Sequence, residues 1–167
     1  MAKTDSFFIR ASVATNGTNF AQVSVDLGAY VDALGKSVLR IHNIQCQYGD
    51  GGDIISPPAA GSEGLVGWQL TTQSQSSLVG MDDKSVISSG KIQANVYAAP
   101  GPLLFVDFLD VAPQHWSNGY LVGVEQIYLA TDSVTGVLGV SEINIVLECT
   151  VETLSQSAAM ALALSQQ

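Results

Sequence analysis

Residues 142–153 of the chain, EINIVLECTVET, alternate apolar and polar side chains with Val146 as the exception. Ile143, Ile145, Leu147, Cys149 and Val151 fall on one side; Asn144, Val146, Glu148, Thr150 and Glu152 fall on the other. Successive side chains of a strand point to opposite faces, whereas a helix would scatter both sets around its circumference. The segment therefore predicts a half-buried antiparallel strand. Residues 6–13 (SFFIRASV) and 20–27 (FAQVSVDL) read as strands too, and they flank the turn-rich Thr15-Asn16-Gly17-Thr18-Asn19, which predicts a hairpin or a wide loop. Residues 37–48 (SVLRIHNIQCQY) are apolar at the odd positions Leu39 and Ile41, then at the even positions Ile44, Cys46 and Tyr48. One extra residue exchanges the two faces, so a β-bulge is expected near His42 and Asn43.

Residues 49–64 are rich in Gly and Pro and predict a loop. Further strands are expected at residues 65–72, 85–87, 91–98, 103–109, 120–129 and 134–140, with Pro100-Gly101-Pro102 breaking the chain between two of them. Helix is expected only as a turn or two at residues 29–34 and in the tail after Leu154. Short strands separated by turns, with no alternating helices and no fixed repeat, predict an all-β sandwich or barrel. The length of 167 residues suits one domain, expected to span residues 1–154, followed by a tail of residues 155–167.

Composition adds one feature that the pattern does not. Charged residues are 13% of the chain, about half the usual share, while apolar residues are an ordinary 47%. Ser, Thr, Gln, Asn and Gly fill the difference and give a neutral, hydrogen-bonding surface. Such a surface suits permanent contacts, because each buried Lys or Glu would have to be desolvated and paired. The formal net charge is −9, and the cations are Lys3, Arg10, Lys36, Arg40, Lys84 and Lys91, so residues 92–167 contain none. Nucleic-acid binding needs Lys and Arg to neutralise phosphates, so direct contact with a genome is not expected. No run of eighteen apolar residues predicts a membrane span, and MAKTDSFFIR lacks the apolar stretch of a secretory signal, so cytoplasmic synthesis is expected.

Candidate chemistry is thin. Leu34-Gly35-Lys36-Ser37 resembles the end of a phosphate-binding loop, but Tyr30 stands where the first glycine belongs and a strand follows instead of a helix. His42 and His115 show no nucleophile at a catalytic spacing. His42 and Cys46 are two potential ligands, too few for zinc. Cys46 and Cys149 read as buried thiols, with a disulfide between neighbouring strands left open. Asp50 and Asp53 could hold Ca²⁺ in a flexible loop, although their spacing departs from the EF-hand pattern and a solvated turn explains them as well. Asp107 and Asp110 could form a carboxylate pair for glycoside cleavage, or serve as edge-strand acids. Asn16-Gly17-Thr18 is formally a glycosylation sequon. Trp116 is expected to anchor a loop. No catalytic, cofactor-binding or metal residue is therefore assigned, and the chain is not expected to be an enzyme. The tail is uncharged, and residues 158–164 favour a helix too short to stand alone or to span a bilayer. It is expected to dock on its own domain, on a neighbouring subunit or on a lipid surface.

The strand-forming start SFFIRASV, the long SVLRIHNIQCQY strand, and the closing segments YLVGVEQIYLATDS and EINIVLECTVET form one organisation over residues 6–153. It resembles the small single-jelly-roll major capsid proteins of tailless icosahedral DNA viruses with an internal membrane, which infect archaea and some bacteria. The resemblance implies a jelly-roll β-sandwich of about eight antiparallel strands in two four-stranded sheets, assembled into the capsomers of a virion. The implied partners are copies of the same chain, a second capsid protein and an internal viral membrane, with no direct contact to nucleic acid. An acidic coat suits such a virus, because a membrane between shell and genome removes the need for a basic arm. Subunit contacts are then expected at Phe7, Phe8, Leu154, Met160, Leu162 and Leu164. A carbohydrate-binding or adhesion-type β-sandwich is the competing class; a fibre subunit is a third, and exposed aromatics along one sheet face would favour the binding module.

Overall fold

A computed structural model of the chain describes residues 4–32, 35–49, 61, 63–97, 103–109, 116–134 and 142–167. Among the described residues, nine strands and one helix follow in chain order: β1 (Phe7–Ala14), β2 (Ala21–Asp26), β3 (Ser37–Gly49), β4 (Glu63–Thr71), β5 (Val86–Tyr97), β6 (Leu103–Leu109), β7 (Tyr120–Val122), β8 (Gln126–Val134), β9 (Glu142–Thr153) and α1 (Gln156–Ser165). They form a four-stranded sheet, β1-β9-β3-β7, and a five-stranded sheet, β2-β8-β4-β5-β6.

The pairing is nested. β1 pairs with β9, β2 with β8, β3 with β7, and β4 with β5, each pair antiparallel. One long antiparallel hairpin, closed at β4–β5 and rolled up, produces these four pairs. Rolling then brings β9 beside β3 and β8 beside β4 as new antiparallel neighbours. This is a jelly-roll β-sandwich, with β6 added to the edge of one sheet beside β5.

The alternation in β9 does what its sequence predicts. Ile143, Ile145, Leu147 and Cys149 are buried, and they pack with Leu39, Ile41 and Ile44 of β3 and with Trp68, Leu70, Ile127 and Leu129 of the other sheet. The parity change in β3 is a bulge, since the register to β9 slips between Ile41 and Asn43. Leu39 and Ile41 face the core before it, and Ile44 and Cys46 pack against the core after it.

Three expectations differ from the fold. Residues 120–129 are not one strand: β7 and β8 lie in different sheets, and Gly123-Val124-Glu125 carries the chain between them. The apolar run spans a corner because both halves are buried, one in each sheet. The separate strands expected at residues 85–87 and 91–98 are a single β5, in which Ser88-Ser89-Gly90 continues the ladder. Gly90 sits there because the Trp68 indole lies against it and leaves no room for a Cβ. The second sheet has five strands, because Leu103–Leu109 pairs along the outer edge of β5. In the stretch expected to be helical at residues 29–34, the Val31 N–H donates to the Leu27 carbonyl in a single turn. The strand expected at residues 134–140 keeps Val134 as the end of β8, and its remainder lies outside the described residues.

Candidate functional site

The two cysteines do not approach one another. Cys46 pairs across the ladder with Ile145, four residues along β9 from Cys149. That offset is roughly 13 Å at the rise of a strand, beyond the reach of a disulfide. Both are free thiols, and burial pushes each up to about 12, with the Glu148 charge adding to the effect at Cys149. A thiol held in its protonated form is a poor nucleophile. His42, beside the bulge, places Nε2 at 2.9 Å from Thr150 Oγ1, which engages its ring within the sheet. Lys36 runs directly into β3, so the Gly35-Lys36 segment is not followed by a helix. Asp107 lies on β6, while Asp50, Asp53, Asp110 and His115 lie outside the described residues. Among the described residues, no group of His, Cys, Asp and Glu side chains is arranged to hold a metal ion. Also among them, no helix is long and apolar enough to cross a membrane.

The tryptophans turn inward. Trp68 is a central core side chain, and Trp116 packs against the core with its ring 5.6 Å from that of Tyr120. Neither forms part of a row of aromatics on an exposed sheet face.

The residues expected at subunit contacts divide into two sets. Phe7 points toward the core and stacks on Tyr30 at 4.7 Å, and Leu162 packs on Gly123. Leu154 is half-buried, and its N–H donates to the Lys36 carbonyl. Those three serve their own domain. Phe8, Met160 and Leu164 point to solvent, at 55%, 45% and 65% exposure.

Helix α1 is held by a latch that the sequence does not reveal. Ser155 caps its start, with Oγ accepting from the Ala158 N–H. The side-chain amide of Gln166 acts as a peptide group: Nε2 donates to the Leu121 carbonyl at 2.7 Å, and Oε1 accepts from the Gly123 N–H at 2.8 Å. The Gln166 backbone carbonyl accepts from Thr72 Oγ1 and Gln73 Nε2, and Lys84 Nζ donates to the Gln167 carbonyl. The helix therefore ties the β7–β8 corner to the β4–β5 connection. Ala159 and Ala163 are buried, and Gly123 meets the helix at Leu162 and Ala163.

Two further features complete the surface. On the outer face of the four-stranded sheet, Arg10 sits over the ring of its neighbour Phe8, 5.9 Å from the centroid. Cross-strand rows continue that face as Phe8–Glu148–Asn43, Arg10–Val146–Gln45 and Ser12–Asn144–Gln47. These rows are rich in amides, and Arg10 and Glu148 are their charged members. Toward α1, the same face is tied down by Arg40, which makes two 2.7 Å bonds to the Glu152 carboxylate and donates to the Asn118 carbonyl. On the five-stranded sheet, the end of β2, the start of β8 and residues 72–74 border a cleft of about 520 Å³. It is lined by Asp26 and Glu125 together with Gln126, Tyr128, Gln73 and Ser74, and one Asp26 carboxylate oxygen accepts from the Gly28 N–H. Asp26 and Glu125 are remote in sequence and meet only because β2 pairs with β8, so no local spacing announces them.

No protein-family model matches the chain, and no curated protein matches it. Among solved structures it is similar to a chain from Desmodium yellow mottle tymovirus, over 90% of both chains, at 13% identity and a TM-score of 0.30. A likeness of that size carries no argument, so the jelly-roll assignment rests on the nested strand pairs.

Proposed function

We propose that the chain is a structural virion protein whose copies assemble into the capsomers of an icosahedral shell. One observation carries this reading: Phe8, Met160 and Leu164 are held outward on hydrogen-bonded elements, on a surface poor in charge. Aromatic and long aliphatic side chains on a rigid support are the anchors that buried interfaces use. The jelly roll supports the reading as a fold common in viral coats, though a fold alone does not assign a function. The acidic balance and the scarcity of Lys and Arg favour a shell separated from its genome, as in a virus with an internal membrane. A second coat protein is the natural additional partner. Negative-stain microscopy of the purified chain tests the proposal. Rings, trimers or closed shells are expected, and isolated subunits at every concentration and salt would overturn it.

A further inference from the structure

Copies carrying nine net negative charges repel one another, so a stable contact between them must place scarce cations against abundant carboxylates. Among the described cations, Arg40 is bound to Glu152, Lys84 to the Gln167 carbonyl, Lys91 has an interaction of its own, and Lys36 stands exposed just before β3. Arg10 differs. It stands on the outer face of β1, an edge strand, stacked over the exposed Phe8 ring, and among the described residues no carboxylate forms an ion pair with it. Phe8 and Arg10 together form a projecting knob of the two residue types, aromatic and Arg, that dominate interface energetics.

A complementary hollow lies on the opposite side of the sandwich. Asp26 pairs with Gln126 across β2–β8, and both face away from the core, since Val25 and Ile127 face into it. Asp26 and Glu125 are the two acidic residues of the cleft lining, and Val124 and Tyr128 line it as well. The cleft of about 520 Å³ has room for an arginine and part of a phenyl ring.

Resting on the assembly reading above, we infer that the Phe8–Arg10 knob of one copy seats in the Asp26–Glu125 cleft of the next. The occupant of the cleft is a second copy of this chain, on the ground of charge complementarity. Knob and cleft are different patches on opposite sheets, so the contact is heterologous. Such contacts close into rings when the rotation between copies allows it, which is the geometry of a capsomer.

Sedimentation of charge variants tests this. Arg10→Glu and the pair Asp26→Lys with Glu125→Lys are each expected to raise the concentration needed for association about tenfold or more. Combining all three changes in one chain restores association, because the reversed knob meets the reversed cleft. Lys36→Glu alters net charge as Arg10→Glu does, on an exposed residue outside the knob, and is expected to have no such effect. Circular dichroism confirms that each variant folds; Phe8→Ser is the uncharged check and is expected to weaken association as well. If the native chain associates and Arg10→Glu associates equally well, this contact is wrong while the proposed function stands. Failure of the triple variant to recover, when its parents are impaired, would also overturn the pairing. A native chain that never associates removes both.

Discussion

Arg40 and Glu152 form a well-shielded ion pair. Their two 2.7 Å bonds cross from β3 to β9, and both side chains are largely buried. The hydrogen bond to Glu152 and its charge raise the Arg40 pKa against the opposing effect of burial. Glu152→Ala leaves the guanidinium without its carboxylate and is expected to cost about 3 kcal/mol in urea unfolding. Replacing both partners, as Arg40→Met with Glu152→Leu, is expected to recover most of that loss, because no charge is then left unpaired. Equal losses in the single and double variants would contradict the assignment. The thiols give a pH signature of definite sign. Burial holds both at about 12 in the folded chain, well above their ordinary value. Near neutral pH both states keep the protons, so the thiols add no pH dependence there. Above about pH 9 the unfolded chain releases protons that the folded chain retains, and stability falls as pH rises toward 12. Urea unfolding between pH 8 and 10.5 is expected to show this fall, and Cys149→Ala is expected to reduce its slope by about one proton. Parallel curves for the two proteins would rule out the buried thiol as a source of the fall.

Among the elements, legibility followed how far each signal had to travel along the chain. β9 and the β3 bulge were readable, because alternation over a dozen positions fixes a strand and a parity change fixes an extra residue. The β7–β8 corner was not, since Tyr120–Val122 and the start of β8 are both apolar and burial in two different sheets leaves no local mark. The helix after Leu154 was readable from propensity, but its attachment was not. Gln166 is a polar residue near the end of an uncharged tail, and only the fold places Leu121 and Gly123 beside its amide. The candidate interface divides in the same way. Phe8, Met160 and Leu164 were readable as apolar residues in plausible places, whereas the meeting of Asp26 and Glu125 in one cleft required the topology. Gln166→Ala removes both side-chain bonds and leaves the buried Gly123 N–H without its acceptor, at a cost of about 1–3 kcal/mol. The loss falls on the latch, so amide exchange in α1 is expected to accelerate at least several-fold while exchange in β3 and β9 stays unchanged. Unchanged exchange in α1 would show that Ala159 and Ala163 alone hold the helix.

For the molecule as a whole, four nested strand pairs build a sandwich whose core draws on both sheets, while the outer surface keeps little charge. The surface of that sandwich carries what the core does not use: an amide-rich sheet face, a charge-free helix with Met160 and Leu164 exposed, and a cleft lined by Asp26 and Glu125. An isolated subunit would leave Phe8, Met160 and Leu164 in water; association gives them a place. Sedimentation velocity over a wide range of concentration, at low and physiological salt, tests that claim most directly. The expected result is conversion of the 17.5 kDa chain into a discrete larger species as concentration rises. A single 17.5 kDa species at every concentration and salt would contradict the account.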